Sequence, residues 1–387
     1  MPDSAAGAIL AEPLSTHYPC RAKGGFDKDA PRASTHPPWH PAMTNPSSPT
    51  TATQETNLRA ARAMILKEIG PDRLAALHAP NLALDLAAIF GSIALFVLCA
   101  WQLATGTLRE PFWWLCLVVQ GNLIIVMGIL NHDAFVHRKL LAPRLRWVLS
   151  SILAWPAQLR SALYEGQHLK HHRALGTEGD TEMHKHALDT RLRRLVFASP
   201  ALIPYRVLFY RSLLARQKAV APDERPQGRA EYQDPTRLQW EAATRRLIWV
   251  AVAVSLFWDW RLAVLGYLLP LAVVTPFLNT LRIVLEHFDL DSRNPLWVGT
   301  FYRTGPLTRL MFWWGTGDCH MVHHYYASIP FYRMPLALRL MRPLLLREGV
   351  YEHRSLVRLL LEWFSATRGH WSVPAQARRA PVVKPAD

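Results

Sequence analysis

FWWLCLVVQGNLIIVMGILNHDAFVH, residues 112–137, joins two kinds of sequence with no linker between them. Phe112–Leu130 is an apolar run of the length that crosses a bilayer, and Trp113 and Trp114 stand where an interfacial aromatic belt lies. Asn131 and His132 follow at once, with His137 five residues further on. The stretch therefore sets metal-binding side chains at a membrane boundary. On an ideal α-helix His132 and His137 stand about 140° apart. Two histidines so spaced serve two different ions, or a local bulge turns one of them inward.

Outward from this stretch the chain reads as two hairpins. Leu86–Ala104 (LAAIFGSIALFVLCAWQLA) precedes it across the short loop TGTLREP. Further on, Leu247–Trp260 rises, Asp259 and Arg261 mark a turn, and Leu262–Leu278 descends past Pro270 and Pro276. That second descent delivers NTLRIVLEH, ending at His287. Between the hairpins, segments 147–159 and 195–215 are apolar but broken by Pro or Arg, and read as interfacial helices; 218–237 reads as a loop. Residues 138–246 hold about 20 Lys and Arg against one Arg in loop 105–111, so the positive-inside rule puts the basic region in the cytoplasm. An aromatic patch lies at 311–314.

Two further stretches match each other: HLKHH at 168–172, inside YEGQHLKHHRALGTEGDTE, and HMVHH at 320–324. Histidine is 17 of 387 residues, so a random HxxHH is expected about 0.03 times, and two copies are not accidental. On helices, positions i, i+3 and i+4 share a face, so each box points His168, His171 and His172, or His320, His323 and His324, into one volume. Neutral, the rings offer lone pairs, and imidazole is the commonest metal ligand. With His132, His137 and the single His287 the inventory is nine, more than one ion uses and enough for two. Imidazole suits Fe, Zn, Cu and Ni alike. Metal-bound rings need acceptors on their other nitrogen. Asp133, Glu165, Asp180, Glu286 and Asp318 lie close in sequence; Glu165 reads equally well as a solvated acid, while Asp180 is favoured.

Composition narrows the classes. The chain is half hydrophobic with 15 Trp, a net charge of +15 and a pI near 10. Such charge suits nucleic acid, an anionic lipid face or an acidic redox protein, but no nucleic-acid motif occurs and the charge sits beside apolar spans. Cys20, Cys99, Cys116 and Cys319 form no CxxC, which argues against a disulfide framework or a thiolate zinc site; Cys319 reads as a small buried residue. No HExxH marks a zinc hydrolase. A metal transporter would place its ligands near the midplane rather than at the boundary. The start MPDSAAGAIL lacks the basic region of a signal peptide.

The order HDAFVH, HLKHH, then HMVHH after a second hairpin resembles the membrane fatty acid desaturase superfamily, over roughly residues 80–345. The texts HHRALGTEGDTE and HHYYASIPFYRMP look like its bacterial branch, and His287 matches an isolated histidine typical of the family. Ile283 stands where some acyl desaturases carry Asn, four residues before that histidine; here NTLRIVLEH offers Asn279, Arg282 and Glu286 instead. The resemblance implies an all-α integral membrane fold of two transmembrane hairpins, about four spans, under a cytoplasmic helical cap that holds a di-metal histidine site. It implies two iron ions, O2 as co-substrate, and a fatty acyl or other lipid substrate that is desaturated, or alternatively a carotenoid or similar lipid that is hydroxylated or converted to a ketone. It also implies a bacterial inner-membrane location. No fused haem or iron–sulfur motif is visible, so a separate ferredoxin, rubredoxin or small cytochrome, with its reductase, is expected to supply electrons. The expected plan is a disordered extension over 1–55, an amphipathic N-terminal segment over 56–80 whose helix from Glu55 to Ile69 is stopped by Gly70 and Pro71, the membrane domain over 81–371, and a disordered tail over 372–387.

Overall fold

The computed structural model describes residues 51–176, 180, 198–200, 231–287, 294–305, 308–309 and 317–365. Expectations for residues 1–50, most of 195–215, 218–230, the aromatic patch at 311–314 and the tail at 372–387 lie outside the described residues.

The first helix, α1 (Thr51–Ile69), begins four residues before the expected Glu55. Gly70, at a φ of 85°, breaks it, but the chain turns straight into α2 (Pro71–His78) with Pro71 at the first helical position, where a missing N–H costs nothing. A third helix, α3 (Leu82–Thr105), is capped by Asn81, whose side chain accepts from the Leu84 N–H, and ends on left-handed Gly106. Next comes α4 (Phe112–Asn131), which runs without a break into a π-helical turn, His132–His137. Two shorter helices follow, α5 (Pro143–Ala154) and α6 (Ser161–Ala174). In the second half, α7 (Pro235–Trp258) turns at Asp259 into α8 (Trp260–His287), and α9 (His320–Tyr325), α10 (Met334–Arg347) and α11 (Leu356–Ser365) complete the described helices.

Among the described residues, three helices are long and apolar enough to cross a membrane: those within Pro71–Thr105, Phe112–His137 and Trp260–His287. The expected fourth span is the apolar end of α7. That helix has 24 residues, but Arg237, Glu241, Arg245 and Arg246 fill its first half, so half its length belongs to the polar side. The outer faces remain greasy: Phe90, Val97 and Trp101 on α3 and Leu247, Val250 and Val254 on α7 are exposed. A surface of that kind is solvated by lipid tails.

Within the bundle the helices meet through small residues, as membrane helices do without a hydrophobic drive between them. A Cβ on Gly121 would lie 2.5 Å from Val274, and one on Gly266 would meet the Ala100 carbonyl at 2.9 Å. The closeness is sealed by polar contacts. Gln120 donates to the Gly266 carbonyl at 2.8 Å, and Thr275 donates to the Gly121 carbonyl at 3.0 Å. The α8 residues in these contacts lie in two π-helical stretches, Val264–Leu268 and Pro270–Val274, or, for Thr275, directly after the second. Pro270 has no N–H to give and its ring crowds the preceding turn, and a widened turn relieves both.

On the polar side α1 lies over α9 and α10. Ala61, Ile65 and Ile69 are buried in one apolar cluster with Trp297, Phe301, Val322, Tyr325, Met341 and Leu345. One departure from the all-α expectation is a two-residue parallel pair, β1 (Phe301–Tyr302) with β2 (Glu352–His353), which ties the C-terminal segment to this layer. Buried ion pairs join the layer to the spans. Arg138 binds Asp85 of α3 at 2.7 and 2.8 Å and also Asp133; Arg237 of α7 binds Glu165 of α6 at 2.7 Å and Glu241 at 3.0 Å. Glu241 also accepts from the Ala162 N–H in the first turn of α6, where a negative charge is favoured.

Gly266→Leu is expected to force α3 and α8 apart at a backbone contact, costing about 1–3 kcal/mol of packing. A lowered thermal midpoint in detergent, followed by tryptophan fluorescence, checks it; an unchanged midpoint would contradict the close approach.

Candidate metal centre

The nine histidines predicted from the boxes come together, and each is brought in by a helix end. His132 and His137 do so through the π-helical turn. Its i→i+5 bonding stacks residues five apart, which an α-helix cannot do. Their Nε2 atoms lie 3.0 Å apart. Of the two possibilities left open by the spacing, the bulge is the one realised, and both rings face the same point.

His132, His137, His168, His172 and His323 form one group of ligand atoms within 4.8 Å of one another, and His171, His287 and His324 form a second. His320 joins the second by contact, its Nε2 lying 2.9 Å from that of His287 and 3.0 Å from that of His324. This corrects the expectation of one volume per box. HLKHH sends His168 and His172 one way and His171 the other, and HMVHH likewise splits His323 from His320 and His324. The groups touch, with the His172 and His324 ring centroids 4.5 Å apart.

Hydrogen bonding alone does not account for this packing. In the first group Nε2 contacts run in a chain, His137 to His132 (3.0 Å), His132 to His168 (2.6 Å), His168 to His172 (2.8 Å) and His172 to His323 (2.9 Å). A ring nitrogen carries one proton or one lone pair, so the three in the middle cannot each satisfy two neighbours. Lone pairs directed at a shared cation remove the conflict. Nitrogens about 2.0–2.1 Å from one ion and at right angles around it sit ~2.9 Å apart, the spacing found here. Burial, and then the neighbouring rings, hold His168, His323 and His324 well below the usual histidine range, which favours the neutral, metal-binding form.

Of the acidic residues named as supports, Asp180 meets a ligand directly. Its Oδ1 lies 2.8 Å from His171 Nδ1, and its other oxygen accepts from the Gly176 N–H at 3.1 Å. Glu286 is 3.5 Å from His320 Nδ1 and is itself held by Arg282 at 2.6 Å, one turn away. The other supports act at one remove. Asp133 is buried against Arg138 and anchors the π-helical turn. Asp318, just ahead of α9, accepts from Thr304 at 2.6 Å and from Arg309 at 2.5 Å. Glu165 is not a solvated acid: it is 2% exposed and pairs with Arg237 and Lys139. Asn279 is half-buried about two turns before His287. Cys319 is fully buried, and burial pushes its thiol up, in keeping with a packing role.

Two contributors escaped the sequence reading. Tyr164 stacks on His168 with centroids 5.4 Å apart, one turn ahead of it on α6. Gly299 lets residues 297–300 close over the end of α8. A Cβ there would lie 2.7 Å from the Glu286 carbonyl, which accepts from the Thr300 N–H at 3.1 Å, and 3.8 Å from His287 Nδ1. The i−4 spacing of Tyr164 was legible on a helix; nothing local marks Gly299.

A family model described as fatty acid desaturase matches residues 111–355, from the residue before α4 to just past β2, and takes in every one of the nine histidines. No curated protein matches the chain. The match spans more than half of the chain and falls on two of the three apolar helices and on both adjoining histidine groups able to hold metal. The chain belongs to the fatty acid desaturase family, a family of membrane-embedded, histidine-box oxidoreductases.

Proposed function

We propose that this protein is an O2-dependent di-iron desaturase of fatty acyl lipids. The observation that carries the proposal is the pair of adjoining imidazole groups, each able to hold one ion through neutral nitrogen donors alone. Iron held there would supply the capacity to reduce O2 and to abstract hydrogen from an unactivated carbon. Overall, two substrate C–H bonds and the O–O bond break, a carbon–carbon π bond forms, and two waters are made. Two of the four electrons and two of the four protons come from the substrate. The other two electrons come from a separate ferredoxin, rubredoxin or small cytochrome, and the other two protons come from solvent.

In this reading the nine histidines are the ligands. Asp180 and Glu286 fix the tautomer of His171 and His320, while Arg282 aims Glu286. Asp133, Asp318 and Asn279 stiffen the elements that carry the rings. The basic region 138–246 faces the cytoplasm of a bacterial inner membrane and steers an acidic donor. One observation favours a second reading, hydroxylation or ketone formation on a carotenoid or other lipid. Ile283, 8% exposed, fills the place where some acyl desaturases carry Asn, so the surroundings of the second group differ from theirs.

Lipid profiling by mass of a host with and without the chain tests the activity. Loss of two hydrogens is expected, and gain of one oxygen instead would establish the second reading. His171→Ala or His323→Ala is expected to abolish the change and lower bound iron while membrane insertion persists. Asp180→Asn keeps the shape but weakens the acceptor on His171, so iron affinity is expected to fall about 10–100-fold, measured by competition with a chelator. Wild-type affinity would remove Asp180 from the site.

A further inference from the structure

Seven of the nine rings are buried; His137 and His172 are half-buried. His137 lines an open cleft of about 330 Å³ whose other walls are Arg62, Tyr325, Tyr326, Ala327 and Ser328. The mouth is formed by α1 and by the turn that follows α9, and apart from His137 none of its residues belongs to a candidate span. Specific contacts tie the two walls together at the mouth. Arg62 donates through Nε to the Tyr325 carbonyl at 2.7 Å, and the Tyr326 hydroxyl donates to the Arg62 carbonyl at 3.1 Å. Behind them the Ser328 hydroxyl lies 3.0 Å from His78 Nδ1, and His78 packs edge-on against Tyr326. The rim thus carries a guanidinium and two hydroxyls beside the tyrosine rings and the Ala327 methyl, enough polar groups to hold water. Its volume suits several waters, each claiming about 30 Å³ as liquid.

We propose that this cleft is the aqueous entrance to the metal centre, separate from the path by which the lipid substrate arrives. Through it water reaches the His137 edge of the first group, protons enter along that water, and product water leaves. The proton traffic rests on the desaturase reading, in which each turnover draws two protons from solvent and releases two waters. The entrance itself rests on geometry alone: His137 is the ligand that water in this cleft touches.

The test measures the rate at which a neutral, water-soluble hydroxypyridinone chelator strips iron from the loaded protein in nanodiscs. Ala327→Trp places an indole in the cleft and is expected to slow stripping about tenfold, whereas Ala60→Trp, on the exposed side of α1 outside the cleft, leaves it unchanged. Arg62→Ala removes a wall and is expected to speed stripping several-fold, and it covers the case in which Ala327→Trp fails to load iron. Stripping at the wild-type rate in iron-loaded Ala327→Trp, or no acceleration in Arg62→Ala, would overturn the proposal. These rates do not depend on substrate chemistry. A host with unaltered lipids would defeat the desaturase reading and leave the entrance standing, and unmoved rates would do the reverse.

Discussion

Nine imidazoles, seven of them buried, have to be packed nitrogen to nitrogen, and the rest of the structure serves that requirement. Protonated together the rings would repel at close range in a medium that screens poorly. Neutral and without a cation, their lone pairs would face one another at 2.6–3.3 Å. Both alternatives are costly, so the scaffold has to hold the rings rigidly in an arrangement that could hold metal. It does so by taking every ring from a helix or helix end: α4 through its π-helical turn, α6, α8 and α9.

Rigidity at the membrane boundary comes from buried charge. Arg138 joins α3 to the π-helical turn through Asp85 and Asp133, and Arg237 joins α7 to the box helix α6 through Glu165. Such pairs add little net stability against an apolar core of the same shape, but removing one partner strands the other and costs about 3–5 kcal/mol. Their value here is registration. Asp85 and Asp133 share Arg138, and Glu165 holds Arg237 and Lys139, so these cations are paired where the boundary meets the rings. The same device recurs closer in, where Arg282 holds Glu286 beside His320.

The membrane half contributes precision by a different route. Lipid tails give no hydrophobic reason for α3, α4 and α8 to associate, so contact is won by letting backbones approach at Gly121 and Gly266 and by bonding Gln120 and Thr275 across the seam. The π-helical stretches of α8 and the π-helical turn ending α4 are two uses of one distortion. In α8 it absorbs Pro270; at the end of α4 it re-aims His137. The stretches of α8 lie within the helix seam, well before His287, whereas the turn ending α4 falls at the metal site itself.

The family, the apolar helices and the convergence of the histidines were legible in the amino-acid sequence because they depend on local pattern: the length of an apolar run, the i, i+3, i+4 spacing of HLKHH and HMVHH, and histidine at a span's end. Asp180 was legible for the same reason, lying in a short turn after its box. What tertiary structure decided is how ligands are shared. Ring direction depends on which partner helix stands opposite, so only the fold could divide each box between two groups, choose the bulge at His132–His137 over two separate ions, and bury Glu165 in an ion pair with Arg237, 72 residues away. Gly299 belongs there too. Its lack of a Cβ matters because the chain folds back there onto the Glu286 carbonyl at the end of α8, and no pattern within its own segment encodes that approach.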